Sequence, residues 1–304
     1  MSNPTPQPSF GTVAIVGVGL LGGSLALALR RAGSVQCIIG VGRSQERLQI
    51  ARSRGLIDEF ALDIRDIASE ADIIVFCTPV RKIPSGVISA AVHCKPETLI
   101  TDVGSVKRQL CRAIAGKLPA GVTFIGSHPL AGSEKQGFEF ADANLFNGRI
   151  CVITPEKPVS SSTSAGDYAA QVQRLTEFWQ TTGAIVKSLS AEDHDCIAAD
   201  ISHLPHLIAS TLSLILNDSN RDWAATGFRD TTRIASGDPS LWTDILLDNA
   251  DRVLHSLRFF ELELERFREA IEREDHNQIT DMLALAKQKR DALNERRDSG
   301  ASPR

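Results

Sequence analysis

Thr12-Val13-Ala14-Ile15-Val16 runs straight into Gly17-Val18-Gly19-Leu20-Leu21-Gly22-Gly23-Ser24, and an Ala/Leu-rich segment then continues to Gly33. A continuous β-branched run reads as a buried strand, the glycines as a tight turn and the segment after them as a helix. In that context G-x-G-x-x-G marks a dinucleotide site. Gly17 allows the turn, Gly19 lets the backbone approach a pyrophosphate, and Gly22 permits close packing of the helix, whose N-terminus at Leu20 and Leu21 faces the phosphates.

The same alternation extends outward from this stretch. Val35 to Val41 reads as a second strand, with Gly55 stopping the helix after it; Ala71 to Cys77 and Thr98 to Val103 read as further strands, each followed by a helical run. Arg149 to Thr154 and Ile185 to Leu189 are expected as late strands. Strands alternating with helical segments predict parallel βαβ units, hence an α/β fold with a doubly wound parallel sheet. The position that reads the cofactor ribose, at the end of the second strand, holds Gly42-Arg43-Ser44 and no carboxylate before Glu46. A guanidinium beside a hydroxyl suits a 2'-phosphate, so NADP is favoured over NAD, although Ser44 also reads as a helix N-cap and Arg43 as a solvated helix-start residue. Thr78 and Pro79, directly after the third strand, are counted with the cofactor site.

Near Ser190 the pattern changes. Ser190-Ala191-Glu192-Asp193 is a capping-box-like helix start, and from Asp195 to Leu216 apolar residues cover nearly every face, so that helix is expected to be surrounded by protein. Long helical segments follow over 240–274 and 277–294. The expected organisation is a disordered lead-in at 1–9, a dinucleotide-binding domain at 10–189, an all-helical substrate and dimerisation domain at 190–296, and a disordered tail at 297–304.

Polar clusters interrupt these apolar contexts. Val122-Thr123-Phe124-Ile125 reads as a strand ending at Gly126, which puts His128 on a loop at a strand's carboxyl end, where ligands bind in open α/β sheets. Ser105, in Asp102-Val103-Gly104-Ser105-Val106-Lys107, reads as a helix cap or as a second group pointing into the same crevice. Ser202-His203-Leu204-Pro205-His206 lies inside the apolar helix; Pro205 frees the carbonyl of Ile201 and bends it, and with no third ligand in sight a metal is not expected. Arg229 and Arg233 share a helix face and suit capture of a substrate carboxylate.

Composition narrows the class. The chain has 304 residues, a net charge of -4 and no basic field for nucleic acid or membrane. No apolar run approaches the ~18 residues of a membrane span. Its six cysteines never form C-x-x-C and read as free thiols of a reducing cytosol, so a cytoplasmic location is expected. No lysine occurs between Ser188 and Ala286, unlike two-domain hydroxyacid dehydrogenases that rely on a helical-domain lysine.

Taken together, Gly17 to Ser24, Asp102 to Lys107, His128-Pro129-Leu130-Ala131-Gly132-Ser133-Glu134, His203 to His206 and Gly227 to Arg233 resemble the prephenate and arogenate dehydrogenases of tyrosine biosynthesis, in their monofunctional form. The resemblance implies an N-terminal Rossmann-type domain, a helical homodimerisation domain, and oxidative decarboxylation of prephenate, or alternatively arogenate, with hydride transfer to NADP or NAD. It implies that His128 takes the ring hydroxyl proton, that Ser105 holds that imidazole, and that Arg233 binds a substrate carboxylate. His206, His203, Ser202 and Arg229 would line the pocket, and Glu134 would stand near its mouth. A non-catalytic dinucleotide sensor is the reading from another class; it would have no use for His128, Ser105 and Arg233 together.

Overall fold

In the computed structural model, residues 10–133, 135–156 and 165–299 are described. The first part of the chain is laid out as β1 (Thr12–Val16), α1 (Leu20–Ala32), β2 (Cys37–Val41), α2 (Gln45–Ser53), β3 (Glu59–Ala61), β4 (Ile73–Phe76), α3 (Ile83–Ala91), β5 (Leu99–Asp102), α4 (Arg108–Ile114) and β6 (Thr123–Phe124). These strands form a parallel sheet in the order β3-β2-β1-β4-β5-β6. Chain direction across the sheet reverses between β1 and β4, which opens a crevice at their carboxyl ends.

Strand alternation builds the two cores. Val13 and Ile15 of β1 face one way, onto Leu25 and Leu29 of α1, while Ala14 faces the other with Ile74, Phe76 and Ile100. Each fully buried Leu or Ile contributes about 1.5–3 kcal/mol of transfer free energy.

The later strands depart from the expected pattern. β7 (Gly126–Pro129), β8 (Ile150–Thr154) and, after α5 (Ala165–Thr181), β9 (Ile185–Ser188) form a separate sheet in the order β7-β8-β9, with β7 antiparallel to β8. His128 therefore lies on a strand, opposite Val152, and not on a loop. The reason is local. Ile125 makes the last main-chain to main-chain hydrogen bond to the first sheet, to the Ile100 carbonyl, and Gly126 already pairs with Thr154. Pro129, which has no N–H to donate, sits on the outer strand of the smaller sheet, where the loss is tolerated.

The remaining helices are α6 (Ala191–Ala198), α7 (Leu204–Ser213), α8 (Thr226–Thr232), α9 (Pro239–Asp248), α10 (Ala250–Glu272) and α11 (His276–Ser299). The single helix expected from Asp195 is two, joined by a π-helical turn over Ala199–His203 that absorbs the donor Pro205 lacks. The expected 240–274 segment breaks at Asn249, whose backbone leaves helical geometry. α11 continues to Ser299, three residues into the expected disordered tail, because no helix breaker precedes Gly300. The expected lead-in at 1–9 and residues 300–304 lie outside the described residues.

Packing groups the chain into a unit ending at Arg252 and a second one from Val253 onward. The change of pattern at 190 falls inside the first unit, because Asp195 of α6 accepts hydrogen bonds from the N–H groups of Lys107 and Arg108 at the start of α4. In the first unit Ile197, Ile201, Leu214 and Ile215 are exposed, and in the second Phe259, Leu262 and Leu283. The six cysteines are free thiols; burial raises Cys94 to about 11 and Cys111 to about 12, and lifts Cys77 and Cys151 further.

One ion pair fixes the turn after β5. The Lys107 ammonium, with no exposed surface, bonds the Asp102 carboxylate, which also accepts from Gly104 N at 2.8 Å and from Ser127 N at 3.1 Å. Removing one member of a buried pair leaves the other charge uncompensated. Lys107→Met is expected to lower the unfolding free energy by about 3–5 kcal/mol, read from the urea midpoint.

Candidate active site

The glycine turn is shaped by contacts that exclude side chains. Gly17 has φ +100°, and a Cβ there would stand 2.7 Å from the Cys77 carbonyl; a Cβ on Gly22 would stand 2.2 Å from the Gly17 carbonyl. A Cβ on Gly19, in contrast, would meet nothing within 4 Å, so the space over the N-terminus of α1 is open. The Thr78 hydroxyl, across from Gly17, is buried without a hydrogen-bond partner. Open room, the unbonded N–H groups of a helix's first turn and an unsatisfied hydroxyl at the sheet's switch point fit a dinucleotide's pyrophosphate. Leu20 and Leu21 open α1, and Pro79 follows Thr78. Arg43 is exposed just past β2, while the Ser44 hydroxyl caps α2 by accepting from Arg47 N.

β7 leaves the same carboxyl edge of the sheet. Its Ser127 is tied to the end of β5, donating from N to the Asp102 carboxylate and from the hydroxyl to the Asp102 carbonyl, and accepting from the Trp179 indole at 3.0 Å. These bonds hold the neighbouring His128 rigidly. The residue is 8% exposed, and its Nδ1 lies 2.9 Å from Nε2 of His194. Nδ1 of His194 lies in turn 2.7 Å from the Asp195 carboxylate. Burial first, then repulsion from His194, Lys107 and His203, holds His128 well below the ordinary histidine value of 6.5. The imidazole is neutral at pH 7.

His203 and His206 come to the same region from the π turn and α7. The Asn249 amide bridges the Asp195 carbonyl at 2.7 Å and Nδ1 of His203 at 3.2 Å. Burial pushes His203 down to about 4, and its Nε2 is buried with no hydrogen-bond partner. His206 stacks on Trp242 of α9 with ring centroids 3.5 Å apart and planes 9° from parallel. Ser202 is half-buried on the π turn. Arg233 follows α8 in a short 3-10 turn packed against α7, and Arg229 is exposed, donating to the Ala224 carbonyl. Ser105 sits in the loop between β5 and α4 with its main chain facing His203, and the ring nitrogen that meets Nδ1 of His128 belongs to His194. Glu134 lies outside the described residues.

Sequence reasoning missed His194, Asp195, Asn249 and Trp242. A signal for the first two was present. The buried residues of α6 and the turn after it are Ala191, His194, Asp195, Ala198, Ala199 and His203, a helical stripe in which two His and an Asp stand among alanines. Polar groups persist on such a stripe only when paired.

The comparisons agree with this geometry. The family model described as prephenate dehydrogenase, nucleotide-binding domain, matches residues 25–188, and the model described as prephenate dehydrogenase, dimerization domain, matches residues 190–285. The prephenate dehydrogenase of Bacillus subtilis is 34% identical over 96% of this chain and 78% of its own length. The crystal structure of prephenate dehydrogenase from A. aeolicus, in complex with hydroxyphenyl propionate and NAD+, superposes with a TM-score of 0.84 at 32% identity, over 94% of this chain and 99% of that one. Synechocystis arogenate dehydrogenase superposes with a TM-score of 0.76 at 30% identity, over 93% and 99% of the two chains. A parallel sheet with an open glycine turn at its switch point, a neutral buried histidine on the strand that leaves the sheet's carboxyl edge and two family models in tandem lead to one conclusion: the chain belongs to the prephenate dehydrogenase family.

Proposed function

We propose that this chain oxidatively decarboxylates prephenate to 4-hydroxyphenylpyruvate, using a nicotinamide dinucleotide held at the glycine turn. The observation that carries the reading is His128: buried, neutral, engaged through one ring nitrogen, on a strand that leaves the carboxyl edge of the nucleotide-binding sheet. When bound, the cofactor accepts the hydride from the ring carbon that bears the hydroxyl. His128 takes the hydroxyl proton as the carbonyl develops; loss of the ring carboxylate as CO2 and aromatisation drive the rest. The chain's task is to bind a dianion, align it and remove one proton.

Arg233 is assigned to a substrate carboxylate, a role suited to a guanidinium. Ser105, His203, His206, Ser202 and Arg229 are assigned to the pocket, with Glu134 at its mouth. The helical half is assigned to a homodimer, whose partner would cover exposed residues such as Ile197 and Ile201. Free thiols throughout suit a cytoplasmic location. Among the described residues no helix is long and apolar enough to cross a membrane. Arogenate, which carries an ammonium on its side chain, is the second reading, supported by the likeness to an arogenate dehydrogenase structure.

The reading is tested by following reduced-cofactor formation with prephenate and with arogenate; no turnover of either would end it. His128→Asn is expected to keep dinucleotide binding and to lower kcat about a hundredfold or more, as loss of a general base does. Because the base works only when neutral and its folded value is depressed, kcat should be flat just above pH 6.5 and fall with a midpoint below 6.5 as acid protonates the ring. NADP is the favoured cofactor, through Arg43 at the end of β2. Arg43→Ala should therefore raise KM for NADP while leaving KM for NAD unchanged; equal effects would remove the 2'-phosphate role.

A further inference from the structure

His194 and Asp195 of α6 are buried ionisable groups with no part in the reaction as written. His194 is 2% exposed and Asp195 has no exposed surface. Each is bonded on every side that matters. Asp195 accepts from Lys107 N at 2.8 Å, from Arg108 N at 2.9 Å and from His194 Nδ1 at 2.7 Å, and His194 Nε2 meets His128 Nδ1 at 2.9 Å.

We propose that His194 and Asp195 are positioning residues that fix His128 with its proton on Nδ1, so that Nε2 presents a lone pair to the substrate hydroxyl. The inference deepens the dehydrogenase reading and depends on it for the identity of the proton donor. It follows from counting donors and acceptors. Two backbone N–H groups already point at the Asp195 carboxyl, which stays ionised and has only acceptors to offer. The His194 nitrogen facing it is therefore the protonated one. With its one hydrogen on that nitrogen, His194 offers a lone pair at Nε2, and the nitrogen of His128 that meets it must carry a hydrogen.

Only that pattern leaves Nε2 of His128 unprotonated. The alternative, a buried His194 cation donating to Nδ1 of His128, would place the His128 proton on Nε2 and abolish its use as a base. The rings meet edge-on, 5.1 Å between centroids and 67° between planes, which brings these two nitrogens together. As the base accepts the hydroxyl proton at Nε2, the Nδ1–H bond to His194 strengthens and no proton needs to leave Nδ1. Asp195 acts one step further back, through the ring it orients.

The test uses the full chain. In 15N-histidine-labelled wild-type protein, His128, assigned by comparison with His128→Asn, should show a protonated Nδ1 and an unprotonated Nε2 at neutral pH. His194→Leu, which removes the acceptor, should lower kcat about a hundredfold with KM for prephenate and cofactor affinity unchanged, and the His128 spectrum should become a mixture of tautomers. His194→Gln, whose amide oxygen can accept the same hydrogen, should recover most of kcat. A wild-type His128 protonated on Nε2, equal losses in the Leu and Gln variants, or wild-type turnover in the Leu variant would each overturn the proposal. The spectrum needs no substrate, and its assignment needs only the His128→Asn variant to fold. A chain inactive on prephenate but showing the Nδ1–H tautomer would refute the assigned reaction and uphold the positioning of His128.

Discussion

The structure turns on the Asp195 carboxylate, which reaches from the middle of α6 to the start of α4. Its two oxygens collect the N–H groups of Lys107 and Arg108, donors that would otherwise be unpaired at the beginning of a helix, and the His194 ring. Burial acts to raise its pKa, but these hydrogen bonds outweigh the penalty and hold the carboxyl below its ordinary value. The Asn249 amide then ties the Asp195 carbonyl to the break between α9 and α10. A charge that would be costly alone thus joins the loop after β5, the opening of the helical half and the imidazole of β7.

A second carboxylate works on the sheet side. Asp102, paired with Lys107, orders the turn at the end of β5 and receives Ser127 of β7. Lys107 belongs to both arrangements: its ammonium serves Asp102 and its N–H serves Asp195. That shared residue explains how a strand of one sheet and a helix of the other half come to grip the same histidine ring. The glycine turn needs neither carboxylate, because it is shaped by close approach of the Cys77 and Gly17 main chain and of the Ile15 side chain.

Much of this could be read from the chain. Strand, turn and helix around Gly17 to Ser24 follow from local chemistry, and so does the parallel sheet they imply. His128 stood out as a residue, while its strand did not, since β7 exists only by pairing with Val152 and Thr154, more than twenty positions away. The same holds for α4. It was expected from Ser105 but starts at Arg108, where a carboxylate from α6 caps it. Asn249 looked like one more polar residue in a long helix until its amide was seen to have two buried partners. What propensity and period reveal is the segment; which distant group completes a segment is a tertiary fact.

The thiols carry a practical consequence. A cysteine attacks as the thiolate, and burial keeps Cys77, Cys94, Cys111 and Cys151 protonated through the whole neutral range. Electrophiles and peroxides that cripple enzymes with reactive sulfur find poor targets in these four side chains, so a catalyst that handles a redox cofactor is guarded against oxidation at those four sulfur atoms.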